Sequence, residues 1–348
     1  MMDTILENRT IATIAAHFKT APHKIGRIHE ADAEIVDMGG DSSHFLAVTT
    51  DALVEEISSG LYDDPYFMGW MLAMVNFSDL AAVGADPLGL LLSISCPVND
   101  ESRFAAKLAR GVSDACDKLG TFVLGGDTNQ GEELLLSGCA VGLIPKQFTL
   151  TRKGARVHDS LYMTSRAGLG NVYAFLKLSK MRFLPARSVF KPVARLKEGR
   201  IIREFASSCM DSSDGVLHTV DTLMRLNRRL FVLYHDWAAI LHPLAYRVCR
   251  AKGIPPWLAL AGIHGEFELV FTVSPPRERP FLSAAAEIGW TPLKIGDVRE
   301  GLGVSIQGNG GATPLDTAEI RNLSEQAGSD PQAYIKRLVQ IAQDSGIV

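Results

Sequence analysis

The chain has 348 residues, 47% of them hydrophobic, with a formal net charge of −4, enough for two α/β domains that each bury a core. No block of like charge interrupts it, which excludes a nucleic-acid backbone reader and leaves small molecules as the expected partners. The five cysteines are scattered and never form a C-x-x-C pair, so neither a disulfide framework nor a zinc knuckle is expected. The amino-terminal stretch lacks a basic segment followed by an unbroken apolar run, and the most apolar later run, 80–98, contains Asp86 and Pro87. The expectation is a cytoplasmic protein with no membrane partner.

Along the chain, Ile5, Ile11, Ile14, Ala15 and Phe18 recur at helical spacing and predict an amphipathic helix over 2–18. After a Gly/Asp turn, "HFLAVTT" reads as a strand, and the stretch from Pro65 to Gly84 as a helix. "LGLLLSIS" reads as a strand and "DESRFAAKLARGVSDACDKLG" as a helix. "TFVLGGD" and "ELLLSGCAVGLI" are two further strands, completing an alternating α/β domain. The character changes near Pro145, which places a boundary within 146–152 and divides the chain into 1–147 and 148–348. In the second part, helices are expected near 168–180, 194–207 and 216–228, and strands near 229–234 and 267–273. "SPPRERP" reads as a turn before a helix at 280–288, and peripheral helices are expected within 314–344.

The chemistry lies in the acids. Asp37, Asp41, Asp51, Asp79 and Asp127 recur at chain turns of the first part, several beside glycine, and Asp211 and Asp214 flank two serines before a helix in "MDSSDG". An aspartate next to bare backbone can project into a cleft where phosphate or a hard cation approaches closely. The same residues can also be helix caps or turn formers, with Ser213 or Asp214 as the N-cap of the helix that follows.

"VTTDALVEE…MGWMLAMVNFSDLAAVGADPLGLLLSISCP", then "LGGDTN", "TLTRKGA", "RLKEGRIIREFASSCMDSSDGV" and "EFELVFTV", in that order, resemble the superfamily of thiamine-monophosphate kinase and aminoimidazole ribonucleotide synthetase. The kinase branch is the nearer. The resemblance implies the two-domain PurM-like α/β fold, in a homodimer whose amino-terminal domains pair strands into a β-barrel. It also implies ATP as co-substrate and Mg2+ bridging phosphates to carboxylates. Carried over by position, Asp41, Thr49, Thr50, Asp51, Asp79, Asp127, Asp211 and Asp214 would be metal ligands. Gly126, Asp127, Arg152 and Ser213 would touch the nucleotide, while Asp127, Arg152 and Asp214 would act in phosphoryl transfer by alignment and charge neutralisation.

Three departures fall on metal and acceptor recognition. Ser42 stands where the branch has a second acid after Asp41, and Ser58 stands where it has a substrate histidine. "IHGEFEL" replaces a glycine-acid turn, leaving Glu266 and Glu268 beside His264. Ser58 and Glu266 are therefore the expected acceptor contacts. The expected activity is phosphorylation of a small, already phosphorylated biosynthetic intermediate. An ATP-dependent synthetase acting on an amide or carbonyl oxygen, and a non-catalytic nucleotide-binding homologue, remain as alternatives.

Overall fold

The structure, a computed structural model, describes residues 2–40, 42–97, 101–179, 190–308, 310–327, 331–345 and 347. The elements up to the middle of the chain are α1 (Leu6–Ala15), β1 (Lys24–Ile25), β2 (Glu34–Asp37), β3 (His44–Ala52), α2 (Glu55–Ser58), α3 (Pro65–Ala82), β4 (Asp86–Cys96), α4 (Glu101–Leu119), β5 (Val123–Gln130) and β6 (Leu135–Pro145). Then come β7 (Ser160–Met163), α5 (Leu169–Leu178), α6 (Leu196–Phe205), β8 (Ala206–Asp211), α7 (Val216–Asn227), β9 (Leu230–Tyr234), α8 (Trp237–Ile240) and α9 (Pro243–Lys252). The last are β10 (Leu269–Val273), α10 (Pro275–Glu287), β11 (Leu293–Arg299), β12 (Gly303–Gly308), β13 (Gly311–Leu315), α11 (Thr317–Ala327) and α12 (Pro331–Ser345).

They form two compact units. One consists of His23–Leu150 with Arg182–Glu204; the other consists of Met1–Pro22, Thr151–Met181 and Phe205–Val348. The chain passes from one unit to the other after Leu150, but two segments cross that division. The first twenty-two residues join the carboxy-terminal unit, and 182–204 joins the amino-terminal one.

In the amino-terminal unit a six-stranded sheet has the order β1-β2-β3-β6-β4-β5, antiparallel except for the β4–β5 pair. Its main support is α3, which starts with Pro65 at its first turn and is buried on nearly every face, from Phe67 to Ala82. That total burial explains its apolar run without a polar stripe. The segment 190–204 closes over α3: Lys191 lies 3.7 Å from the Trp70 ring centroid, and Trp70 Nε1 donates to Pro192 O at 2.8 Å. Arg200 and Arg203 both reach Asp86.

The carboxy-terminal unit holds a seven-stranded sheet, β13-β12-β9-β11-β7-β10-β8, in which only β12 and β9 run parallel. Among the described residues neither sheet closes into a barrel. Phe231, Leu233, Trp237 and Leu241 are all buried core residues, so this aromatic stretch packs the fold. Trp257 is fully buried and donates to Ile347 O.

Two expected elements differ in detail. "SPPRERP" is the first turn of α10 rather than a turn before it, because proline at the first helical positions sacrifices no hydrogen bond. In α1, Ile5 and Asn8 are buried while Ile14 and Phe18 face solvent. The inward face is set by polar ties at the helix start, among them Leu6 N to Asn322 Oδ1 at 3.1 Å and Asn8 Nδ2 to Met2 O at 3.2 Å.

Candidate active site

On the amino-terminal unit, β3 and α3 carry the densest group of expected ligands. Thr49 and Asp51 lie two apart on a strand, and therefore on one face, where α3 presents Asn76 and Asp79 one turn apart. Thr49 Oγ1 donates to Asp79 Oδ2 at 2.5 Å. Asp51 N donates to Asn76 Oδ1 at 3.1 Å, and the Asp51 carboxylate turns back to accept from Ala52 N at 2.8 Å. Thr50 faces the other way and donates to Gly138 O. A carboxylate oxygen of Asp32 lies within 4.8 Å of one from Asp79. Asp32 is a candidate ligand that sequence reasoning missed: it sits in "HEADAE" with no flanking glycine to mark it.

Asp127 lies on β5, exposed, with Asn129 Nδ2 donating to its Oδ2 at 2.7 Å. The neighbouring Gly126 has no room for a side chain, because a Cβ there would stand 2.2 Å from Leu92 O across the parallel β4–β5 pair. Asp41 falls outside the described residues. Ser42 is tied into the entry to β3, its hydroxyl donating to His44 O at 2.8 Å. Ser58 is exposed at the end of α2, where it bonds its own helix at Glu55 O. Asp37 is engaged by Lys146 at 2.8 Å, and that ion pair holds its carboxyl below the usual carboxylate range.

On the carboxy-terminal unit, Asp211 ends β8, buried, accepting from Ser213 Oγ at 3.3 Å. Its carbonyl accepts from Thr219 Oγ1 of α7 at 2.7 Å. The N-cap of α7 is Gly215, not Ser213 or Asp214: its φ of 86° is left-handed, and a Cβ would meet Gly262 O at 2.3 Å. Freed from capping, Asp214 is half exposed, with one carboxylate oxygen 3.6 Å from His218 Nε2. Asp214 and His218 line a narrow cleft walled by Leu217, Ile263 and Ile320. Burial, helped by the Arg321 guanidinium, pushes the His218 imidazole down to about 3, so it is neutral.

Arg152 belongs to a turn that Asn227 braces from the end of α7. Asn227 Oδ1 accepts from Gly154 N and Ala155 N at 2.8 and 3.0 Å, and its Nδ2 donates to Arg152 O at 2.8 Å. Nothing local in the sequence marked Asn227, seventy-odd residues away. Glu266, an expected acceptor contact, is buried at the start of α5, where its Oε1 accepts from Gly170 N at 2.6 Å. Burial pushes its carboxyl up to about 8. His264 is also buried, 5.9 Å from the Tyr173 ring, with its imidazole pushed down to about 4.

The donor set on the amino-terminal unit is all oxygen, from carboxylates and hydroxyls. That chemistry fits a hard divalent cation with phosphate oxygens and water completing its shell, and not a thiolate- or imidazole-seeking metal.

The family model for AIR synthase related protein, N-terminal domain, matches residues 30–144. A thiamine-monophosphate kinase of Methanocaldococcus jannaschii is 30% identical over 77% of this chain and 86% of its own length. The solved structure of AaThiL complexed with AMPPCP and TMP superposes with a TM-score of 0.72 at 23% identity, over 89% of this chain and 95% of that one. A chain of the HypE–HypF complex shares the fold at 16% identity, with a TM-score of 0.73 over 88% of this chain and 98% of its own.

Proposed function

This chain belongs to the thiamine-monophosphate kinase family, an ATP-dependent kinase family, and from that premise we propose that it transfers the γ-phosphoryl group of ATP to a small phosphorylated acceptor, thiamine monophosphate being the first candidate. The observation that carries this reading is the Thr49–Asp79 pair with the Asp32 carboxylate beside it and Asp51 on the same strand face. Such crowding of acids on a braced strand and helix has no evident packing benefit, and a bound cation offsets the repulsion among them.

In this reading Asp32, Asp41, Thr49, Asp51, Asp79 and Asp127 serve magnesium binding on the amino-terminal unit, while Thr50, turned to Gly138 O, does not, and Asp211 and Asp214 serve it on the carboxy-terminal unit. Bound magnesium supplies charge neutralisation on the phosphates. Gly126 lets backbone approach the nucleotide closely, and Ser213 offers it a hydroxyl. Arg152, on its Asn227-braced turn, offers a planar fork to phosphate oxygens. Phosphoryl transfer asks the protein for alignment and electrostatics rather than a covalent nucleophile, and the residues present are of that kind.

The same reading includes a homodimer. Among the described residues β5 is an edge of its sheet; Phe122 and Leu124 there, with Leu91 on β4 and Leu135 on β6, leave apolar surface exposed, Phe122 at 72%. An apolar sheet edge of that kind is a pairing surface unless it is covered.

The experiment is phosphorus NMR of the purified protein with ATP, Mg2+ and thiamine monophosphate, with Asp127→Asn as control. Thiamine diphosphate formed by the wild type and lost in the variant is the expected result. Magnesium-dependent ATP binding without product would move the acceptor to another molecule. Absence of ATP binding would overturn the kinase reading for this chain.

A further inference from the structure

Asn76 is fully buried in α3, yet it is polar and sits in the one helix of the amino-terminal unit that is apolar on nearly every face. A buried amide needs partners for its oxygen and its nitrogen. One partner is local: Nδ2 donates to Leu72 O, one turn back, at 2.9 Å. The others lie on β3. Asn76 Oδ1 accepts from Asp51 N at 3.1 Å, and Nδ2 has a longer contact with Asp51 O at 3.5 Å. The side-chain amide thus treats Asp51 as a neighbouring strand would, taking its N–H and offering a donor to its C=O.

Room for this contact is built into the next strand. Gly138 pairs with Asp51 in the β3–β6 ladder, and a Cβ on Gly138 would lie 2.5 Å from Asn76 Nδ2. Ser137, beside it, directs its hydroxyl at Asp51 O from 3.4 Å. Backbone and side chains of three elements therefore converge on the peptide units of this one aspartate. Its carboxylate is turned in the same grip, accepting from Ala52 N. Asp79, one helical turn beyond Asn76, holds Thr49 by its side chain instead, accepting from the hydroxyl. One face of α3 thereby sets two positions on one face of β3.

We propose that Asn76 is a positioning residue for metal binding: its amide clamps the Asp51 backbone and so aims the Asp51 carboxylate. This rests on the reading of Asp51 as a metal ligand. Asn76 itself touches neither metal nor substrate. A mispositioned carboxylate still carries its charge, so the signature is weaker cation affinity and not the loss of nucleotide recognition.

The test uses the full-length protein with AMPPCP and Mn2+ as the probe, reading free Mn2+ by electron paramagnetic resonance and backbone protection at Asp51 by amide hydrogen exchange. Asn76→Leu keeps the branched shape and removes the clamp. Gly138→Ala keeps Asn76 and pushes its amide away, and serves if Asn76→Leu does not fold. Asp51→Asn is the reference. The expected result is a Mn2+ dissociation constant raised about tenfold in either clamp variant, faster exchange of the Asp51 amide, and AMPPCP affinity at saturating Mn2+ within about twofold of wild type. Reduced stability with unchanged Mn2+ affinity in a folded clamp variant would overturn the inference, leaving Asn76 a packing residue. If Asp51→Asn also leaves Mn2+ affinity unchanged, the assignment of Asp51 as a ligand falls, and the inference with it. If Asp51→Asn weakens Mn2+ and the clamp variants do not, only the inference falls.

Discussion

Thr49 on β3 and Asp79 on α3 are thirty residues apart and joined by a hydrogen bond of 2.5 Å from hydroxyl to carboxylate. A hydrogen bond to a charged group contributes about 1.5–3 kcal/mol. Thr49→Val is expected to lose about that much stability, and Thr49→Ser, which keeps the donor, about half or less. Urea unfolding of the two variants checks it, and a Thr49→Val variant as stable as the wild type, with the loss confined to Thr49→Ser, would show that the methyl group matters and the bond does not.

Asp221, fully buried in α7, accepts from Arg225 Nε at 2.7 Å, Arg321 at 3.0 Å and Thr317 Oγ1 at 2.6 Å. Burial alone pushes its carboxyl up, but the hydrogen bonds from Arg225 and Thr317 and the two guanidinium charges overcome it, leaving it below the ordinary value. A group depressed in the folded state stabilises above its unfolded value and loses that contribution as pH falls through the folded one. Asp221→Asn strips the anion from two buried cations and is expected to cost about 3–5 kcal/mol at neutral pH. The gap between wild type and variant should narrow below about pH 4. Denaturant titrations at a series of pH values measure the gap, and a constant gap would show that the charge is not what stabilises the network.

Glu266 works in the opposite direction. Its carboxyl is raised in the folded state, to about 8 from an ordinary 4.5, so the folded protein holds a proton that the unfolded chain releases. That contribution is complete below about pH 4.5 and falls away as pH rises toward 8. Glu266→Gln keeps the oxygen that accepts from Gly170 N. It should gain on the wild type by on the order of a few kcal/mol between pH 5 and 8. Parallel stability curves for the two proteins across that range would remove Glu266 as the titrating group.

At the sheet edge by β5, Leu124→Asp combined with Phe122→Asp is expected to yield a monomer by light scattering at concentrations where the wild type is dimeric. Each exposed side chain loses apolar area worth about 25 cal/mol per Å² on burial, and gains a charge that must be desolvated to pair. A wild type that is monomeric, or a variant that remains dimeric, would move the interface elsewhere.

The elements of the first half were readable because each has a simple pattern. β3 and β6 alternate, α4 is amphipathic, and α3 is bounded by Pro65 and Gly84. What escaped reading was non-local. The N-terminus of α5 is met by Glu266, ninety-six residues away from Gly170, and no local spacing marks such a cap. Asp32 joins Asp79 through the fold and not through a motif. At α7 the rule favouring Ser or Asp as the cap lost to a tight approach at Gly262 that only Gly215 allows. The serine and acids of "MDSSDG" were recognised, but which of them would be left over from capping depended on that approach.

The first helix hangs from the last part of the chain. Leu6 N donates to Asn322 Oδ1, 316 positions later, and Asn322 Nδ2 donates to Thr4 O at 2.9 Å. During synthesis at roughly 5–20 residues per second, α1 leaves the ribosome on the order of 15–60 seconds before its partner exists. For that interval Ile5 has no completed core to enter, and a helix of ten residues is marginal alone in water. The carboxy-terminal unit is thus finished late by its earliest residues, as a cord is drawn tight when its second end arrives.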